Sequence, residues 1–182
     1  SHCNMKCAYC QNYYFSQLDE GQEMTVEALA RAMAELRDMG CHNINLVSPT
    51  HYTPQISEAL DLTSDKGVDI PVVYNTGGYE LVKTLMRLEG MIDIYMPDMR
   101  YSSNDMAARY SDAPDYVEMN RADIAPTRPR ISSGVRIWMI DWRTTTETMS
   151  DAPMAKRLMR ASGIVVARPK QMTSRFRFAA GG

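Results

Sequence analysis

The sequence contains no apolar run that approaches the roughly eighteen residues a membrane-spanning helix needs, so a membrane location is not expected. It does not open with a basic stretch followed by an apolar one, and export is not expected either. Cysteine is scarce, with four in 182 residues, and three of the four (Cys3, Cys7 and Cys10) fall within the first ten positions. An odd cluster at one end does not suit a secreted disulfide framework, which points to a reducing, cytoplasmic setting. Positive charge is short in residues 1–125, where 9 Lys+Arg face 19 Asp+Glu, net −10. Leucine is short in residues 126–182, where Leu158 stands alone against nine earlier, while 11 Lys+Arg face 3 Asp+Glu, net +8. The chain therefore has two unlike parts.

What the first part does contain is regular. In "TVEALARAMAELRDMG", Thr25 is a fitting N-cap, Leu29, Met33, Leu36 and Met39 recur at helical spacing, and Gly40 stops the run as a C-cap would. "HNINLVSP" then reads as a short strand. The cycle repeats with a helix in "TPQISEALDLTSDKG" up to Gly67, a strand in "IPVVYN", a helix in "GYELVKTLMRLEG" up to Gly90 and a strand in "IDIYMP". The strands are apolar on both faces, as expected when helices cover a parallel sheet. Alternating strands and helices with short loops predict an α/β fold, either a barrel or an open doubly wound sheet. In both, right-handed crossovers put the C-terminal strand ends on one edge, where ligands bind. The residues leaving the three strands are "SPTH" (48–51), "NTGG" (75–78) and "PDMR" (97–100), all small, polar or ionisable.

Three thiols at C-x3-C-x2-C spacing admit several readings. A structural zinc site would need a fourth ligand, from among His2, His42, Cys41 and His51. Thiols without a ligand are a second reading. An iron–sulfur cluster on three thiolates is the third and favoured one, because it leaves one iron open to a substrate or cofactor.

"CNMKCAYCQN" resembles the cysteine signature of radical S-adenosylmethionine enzymes, with Tyr9 at the aromatic position before the last cysteine. The stretches "CQNYYFSQ", "HNINLVSPTHYTPQISEAL", "PVVYNTGGYE", "DIYMPDMRY" and "YSDAPDY" resemble an uncharacterised branch related to pyruvate formate-lyase activating enzyme. The resemblance covers about residues 1–125. It implies a partial (βα) barrel of the radical SAM type, incomplete at both ends, with the leading strand and later strands missing. It also implies that Cys3, Cys7 and Cys10 hold a [4Fe-4S] cluster whose open iron is chelated by S-adenosylmethionine. One electron then cleaves the cofactor to a 5′-deoxyadenosyl radical that abstracts hydrogen. The partners implied are an electron donor of the flavodoxin or ferredoxin type and, for an activating enzyme, a protein substrate. The alternative is a truncated, catalytically incompetent [4Fe-4S]-binding module.

Further positions follow from the resemblance. Where activating enzymes have a Gly-Gly-Glu stretch on the cofactor's amino group, this chain has "SPTH", so Thr50 and His51 become candidate contacts. A loop-shaping Thr50 and a His51 that caps the next helix are the plainer reading. Asn75 and Thr76 fall where the family touches the methionyl or ribose part, although "TGG" is equally a turn that uses Gly77 and Gly78 for positive φ. Asp98 and Arg100 occupy the place of an Asp-x-Lys pair.

Other features read as structural. The methionines fall at apolar helix positions, Tyr13 and Tyr14 pack over the thiol loop, and Cys41 with His42 marks a helix end. "YSSNDMAARYSDAPDY" reads as a polar surface loop. Residues 126–182 read as a basic, atypical segment, non-native to the family, disordered, or divergent but folded, in which "GVRIWMIDWR" does not match the expected fifth strand. With no recognisable motif and few aromatic residues, this segment is not expected to bind nucleic acid.

Overall fold

The computed structural model describes residues 2–18, 20–64 and 67–127 together with two short strands at 136–137 and 164–165. Most of the basic segment 126–182 lies outside the described residues. The order of elements is α1 (Tyr13–Gln17), α2 (Val26–Asp38), β1 (Ile44–Val47), a 3-10 turn (Thr50–Tyr52), α3 (Thr53–Ser64), β2 (Val72–Thr76), α4 (Val82–Met86), β3 (Ile94–Pro97), α5 (Asn104–Ser111), α6 (Tyr116–Thr127), β4 (Arg136–Ile137) and β5 (Ile164–Val165). β1, β2 and β3 pair in parallel, in the register Val47 to Asn75 and Thr76 to Pro97. β4 extends the sheet in parallel beyond β3, and β5 pairs antiparallel with β1. This is the mixed α/β architecture of a partial radical SAM-type (βα) fold. β4 lies within "GVRIWMIDWR", where the sequence pattern announced no strand. Among the described residues no helix is long and apolar enough to cross a membrane.

The α2 reading holds for its N-cap and core face, whereas Met39 falls at the C-cap and is exposed. The Thr25 hydroxyl accepts the Ala28 N–H at 3.2 Å, and Ala30, Met33 and Leu36 are buried on one face. Those side chains meet Ile44 and Leu46 of β1, Ile56, Ala59 and Leu60 of α3, and Val72 and Tyr74 of β2 in one apolar core, which includes Cys41. α3 and α4 are shorter than the sequence suggests and end at Ser64 and Met86 rather than at Gly67 and Gly90.

One expectation fails outright. The polar stretch 101–116 is not a surface loop but contains α5 and the start of α6, and Ala107, Ser111, Ala113 and Tyr116 are fully buried. They form a second, smaller core with Met5 and Cys7, against which Cys3, Cys10, Tyr79 and Tyr101 pack. The buried surface is built from small residues, so the helix carries no apolar stripe that a pattern search would find.

α6 in turn ties two strand ends together. The Asn120 amide donates to the carbonyls of Gly78 (2.9 Å) and Asp98 (2.8 Å), and the Tyr116 hydroxyl lies at 2.8 Å from the Gly77 carbonyl and accepts the Arg100 N–H at 3.0 Å. This requires the backbone at Gly78, whose φ is +69°, to pass so close that a Cβ would overlap Asn120 Nδ2 and the Asp98 carbonyl oxygen. Gly40 has a similar φ of +74° but faces open space. Gly78→Ala is therefore expected to cost clearly more than the ~1–2 kcal/mol of left-handed backbone strain that Gly40→Ala alone should show. Urea unfolding followed by circular dichroism checks this, and equal losses in the two variants would contradict the close packing at Gly78.

Candidate functional site

The C-terminal strand ends collect on one edge. Ser48, just after β1, donates its N–H to the Asn75 carbonyl at 2.8 Å, and Asp98, just after β3, donates to the Thr76 carbonyl at 2.9 Å. Ser48, Thr50, Asn75, Thr76 and Asp98 thus lie side by side, as the one-sided placement of strand ends requires. Ser48 holds a left-handed backbone (φ +48°), a strained state for a side chain with a Cβ.

The thiol loop packs over this edge. It has no regular structure of its own and is held from outside. Lys6 and Ala8 donate their N–H groups to the carbonyls of Ser111 (2.9 Å) and Tyr110 (2.8 Å) at the C-terminal end of α5. The Asn4 amide donates to the Tyr79 carbonyl, and Met5 is buried against Gly77, where a Cβ would come within 2.8 Å of its sulfur.

Each thiol sits among donors. Cys7 is buried, and its Sγ accepts from the Ser111 hydroxyl at 3.0 Å and from Arg100 Nη1 at 3.3 Å. Cys10 Sγ lies 3.2 Å from the Ser16 hydroxyl. Burial pushes the Cys3 thiol up, the Met5 N–H and the Ser48 hydroxyl pull it down, and the neighbouring Cys7 and Cys10 raise it further. Arg100 is fixed by the Asp98 carboxylate, which accepts from its Nε at 2.9 Å and from its Nη2. Burial opposes the Arg100 charge, but Asp98 and the nearby Cys7 and Tyr9 hold its pKa above the ordinary value, so it stays a cation.

Among the described residues no three His, Cys, Asp or Glu side chains converge on a single-ion point. A cuboidal cluster makes no such demand, since each thiolate meets a different iron. Three thiols on one loop, with Cys3 close enough to feel both Cys7 and Cys10 and with hydroxyl, amide and guanidinium donors at sulfur, form a donor set that fits such a cluster.

The remaining predicted residues fall in different surroundings. Tyr9 is 55% exposed, and its hydroxyl lies 2.6 Å from that of Tyr101. His51 is exposed in the 3-10 turn, with its ring 4.3 Å from that of Tyr52. It does not begin α3; there Thr53 donates its hydroxyl to the Thr50 carbonyl at 2.8 Å. His51 and Ser48 line a cavity of about 370 Å³ that also takes in His2, Phe15 and Gln55.

Thr50 and Thr76 meet on a residue that the sequence did not single out. The carboxylate of Glu80, only 2% exposed, accepts the Thr50 hydroxyl at 2.6 Å and the Thr76 hydroxyl as well. Burial pushes its pKa above the ordinary carboxylate range, and donation from Thr50, Thr76 and Tyr74 only partly opposes this. An acid immediately after "NTGGY" was the available signal, but nothing in the local pattern distinguishes it from a solvated one.

The sequence pattern of the radical SAM superfamily matches residues 1–119. The chain belongs to the radical SAM superfamily. It is also 28% identical over 124 residues to an uncharacterized protein of Methanocaldococcus jannaschii, across 64% of this chain and 36% of that one. The chain thus spans about a third of the length of this curated relative. Members of the superfamily generally carry a [4Fe-4S] cluster and use S-adenosylmethionine.

Two predictions follow from the site. Replacing Cys3, Cys7 or Cys10 by Ala should reduce iron, measured after anaerobic reconstitution, from about four per chain to background. Cys41→Ala, in the other core, should leave the iron content unchanged; equal loss there would contradict a three-thiolate site. For Glu80, the folded state holds its proton more tightly than the unfolded state does. Its contribution to stability is therefore complete below about pH 4.3, the ordinary value, and is lost as pH rises through the raised folded value. Glu80→Gln should flatten that fall in a series of melting curves against pH, and an unchanged slope would show that Glu80 does not cause it.

Proposed function

We propose that the chain is a radical enzyme of the type that activates glycyl-radical enzymes, abstracting hydrogen from a glycyl residue of another protein. The observation that carries the reading is the placement of Cys3, Cys7 and Cys10 over the strand-end residues Ser48, Thr50, Asn75, Thr76 and Asp98. The three thiolates would hold the [4Fe-4S] cluster and leave one iron for S-adenosylmethionine. When bound, these groups supply the chemistry: one electron splits the sulfonium C–S bond, giving methionine and a 5′-deoxyadenosyl radical.

The chain's own residues bind, orient and shield. Thr50 has donated its single proton to Glu80, so toward the cofactor it presents lone pairs, which suit its ammonium, while buried Thr76, bonded to Glu80 and to the Gly78 N–H, shapes the floor of the site. Asn75 offers an amide, and Asp98, oriented by Arg100, offers a carboxylate to an amino or hydroxyl group. Tyr9 and His51 are exposed at the rim, where they could contact the adenosyl end. Met5 of the loop and Tyr116 of α6, both buried, exclude water from one side.

The activating type is supported by the sequence stretches that resemble that branch. A one-electron donor of the flavodoxin or ferredoxin type is the partner this chemistry requires. Tyr9, Tyr13, Tyr14 and Met99 leave exposed apolar surface beside the thiol loop and the β3 end, suited to contact with a protein.

The test is product analysis. With iron loaded, S-adenosylmethionine and a reductant added, 5′-deoxyadenosine and methionine should form in equal amounts. Asn75→Ala or Asp98→Ala should weaken cofactor binding about tenfold to more than a hundredfold, as loss of a hydrogen bond to a charged ligand worth ~1.5–3 kcal/mol implies, with cluster absorbance unchanged. A fully loaded cluster that yields no 5′-deoxyadenosine would favour a binding module over an enzyme.

A further inference from the structure

Four side chains from three separate segments form a continuous hydrogen-bonded chain: Tyr9 OH to Tyr101 OH at 2.6 Å, Tyr101 OH to Ser111 Oγ at 2.6 Å, and Ser111 Oγ to Cys7 Sγ at 3.0 Å. It runs from a half-exposed tyrosine to a buried sulfur. Its direction follows from counting protons. A hydroxyl has one proton to give, and a thiolate can only accept. Ser111 spends its proton on Cys7, so Tyr101 must donate to Ser111, and Tyr9 must in turn donate to Tyr101. Burial, against an opposing pull from the Ser111 hydrogen bond and with the help of Tyr9, pushes the Tyr101 pKa up to about 12, so it keeps the proton that the chain requires.

Ser111 is held firmly in place. Its side chain is fully buried, and its carbonyl accepts the Lys6 N–H of the loop that carries Cys7. Tyr101 is braced edge-on against Tyr116, with ring centroids 5.4 Å apart. Hydrogen bonds in series polarise one another in a low-dielectric interior, so the donor that reaches sulfur is stronger than an isolated hydroxyl.

We infer that Tyr101 and Ser111, with Tyr9 at the outer end, are tuning residues that raise the reduction potential of the cluster by donating in series to the Cys7 sulfur. The inference rests on the reading above that Cys7 is a cluster ligand. One-electron reduction adds negative charge that is partly borne by the sulfurs, and hydrogen bonds to them favour the reduced state. The electron comes from a low-potential one-electron donor, no proton is transferred, and no bond forms or breaks in the protein. Arg100 donates to the same sulfur but stands outside the series, because its partner is Asp98.

The test is the midpoint potential of the reconstituted full chain, measured by redox titration with electron paramagnetic resonance. Ser111→Ala should disfavour reduction about threefold to tenfold, which is about 30–60 mV lower at 59 mV per tenfold. Tyr101→Phe should lower the potential by less, since Ser111 still donates but is no longer polarised. The double variant should match Ser111→Ala, because Tyr101 acts only through Ser111. An unchanged potential in Ser111→Ala, or a double variant lower than Ser111→Ala by the full Tyr101→Phe shift, would overturn the inference. If Ser111→Ala does not load iron, Tyr101→Phe decides alone, and an unshifted potential there would overturn it. Failure of the unmodified chain to take up about four irons, by contrast, would count against Cys7 as a ligand and not against the chain of hydroxyls alone.

Discussion

The site depends on the pair of hydrogen bonds by which Lys6 and Ala8 are held to the carbonyls of Ser111 and Tyr110. A loop of eight residues with three thiols cannot satisfy its own backbone, and ordering each residue costs about 1–2 kcal/mol of entropy. Its N–H groups find acceptors in the last turn of α5, whose carbonyls have no partners within the helix. Each element thus supplies what the other lacks. Asp112, in a left-handed conformation at φ +53°, ends α5 there and keeps those carbonyls available. Its surface ion pair with Lys6, at 2.9 Å, adds little.

A second constraint follows from the first. Once the loop is fixed over the sheet, the backbone beneath it must come close, and Gly77 and Gly78 allow that approach from two sides: Met5 on one, Asn120 and the Asp98 carbonyl on the other. "TGG" therefore reads neither as a simple turn nor as a simple ligand contact. Its glycines make room for the thiol loop and for α6, while its threonine is bonded to Glu80.

The sheet was legible because its strands are apolar, of ordinary length and separated by helices with recognisable ends; Thr25 and the run Ile44 to Val47 show the pattern plainly. The thiols were legible because few chemistries need three so close together. α5 was not, because its buried residues Ala107 and Ser111 are buried by their neighbours and not by any hydrophobicity of their own, and α6 was not, because it turns inward Tyr116 and the polar Asn120. Glu80 escaped for a related reason. A charged residue buried at 2% exposure looks in sequence like any solvated acid, and only the meeting of Thr50 and Thr76 on one carboxylate shows its place. Local patterns report periodicity, whereas this site is made of contacts between residues far apart along the chain.

That separation affects how the protein is made. Ser111 and Cys7 are 104 positions apart, and Lys6 depends on the same distant helix end. During synthesis the thiols emerge before the helix that orders them, which is completed only about a hundred residues later. Closing so long a loop is slow compared with forming α2 or the β1–β2 pair, which need only nearby partners. The thiol loop is therefore ordered only after α5 has docked.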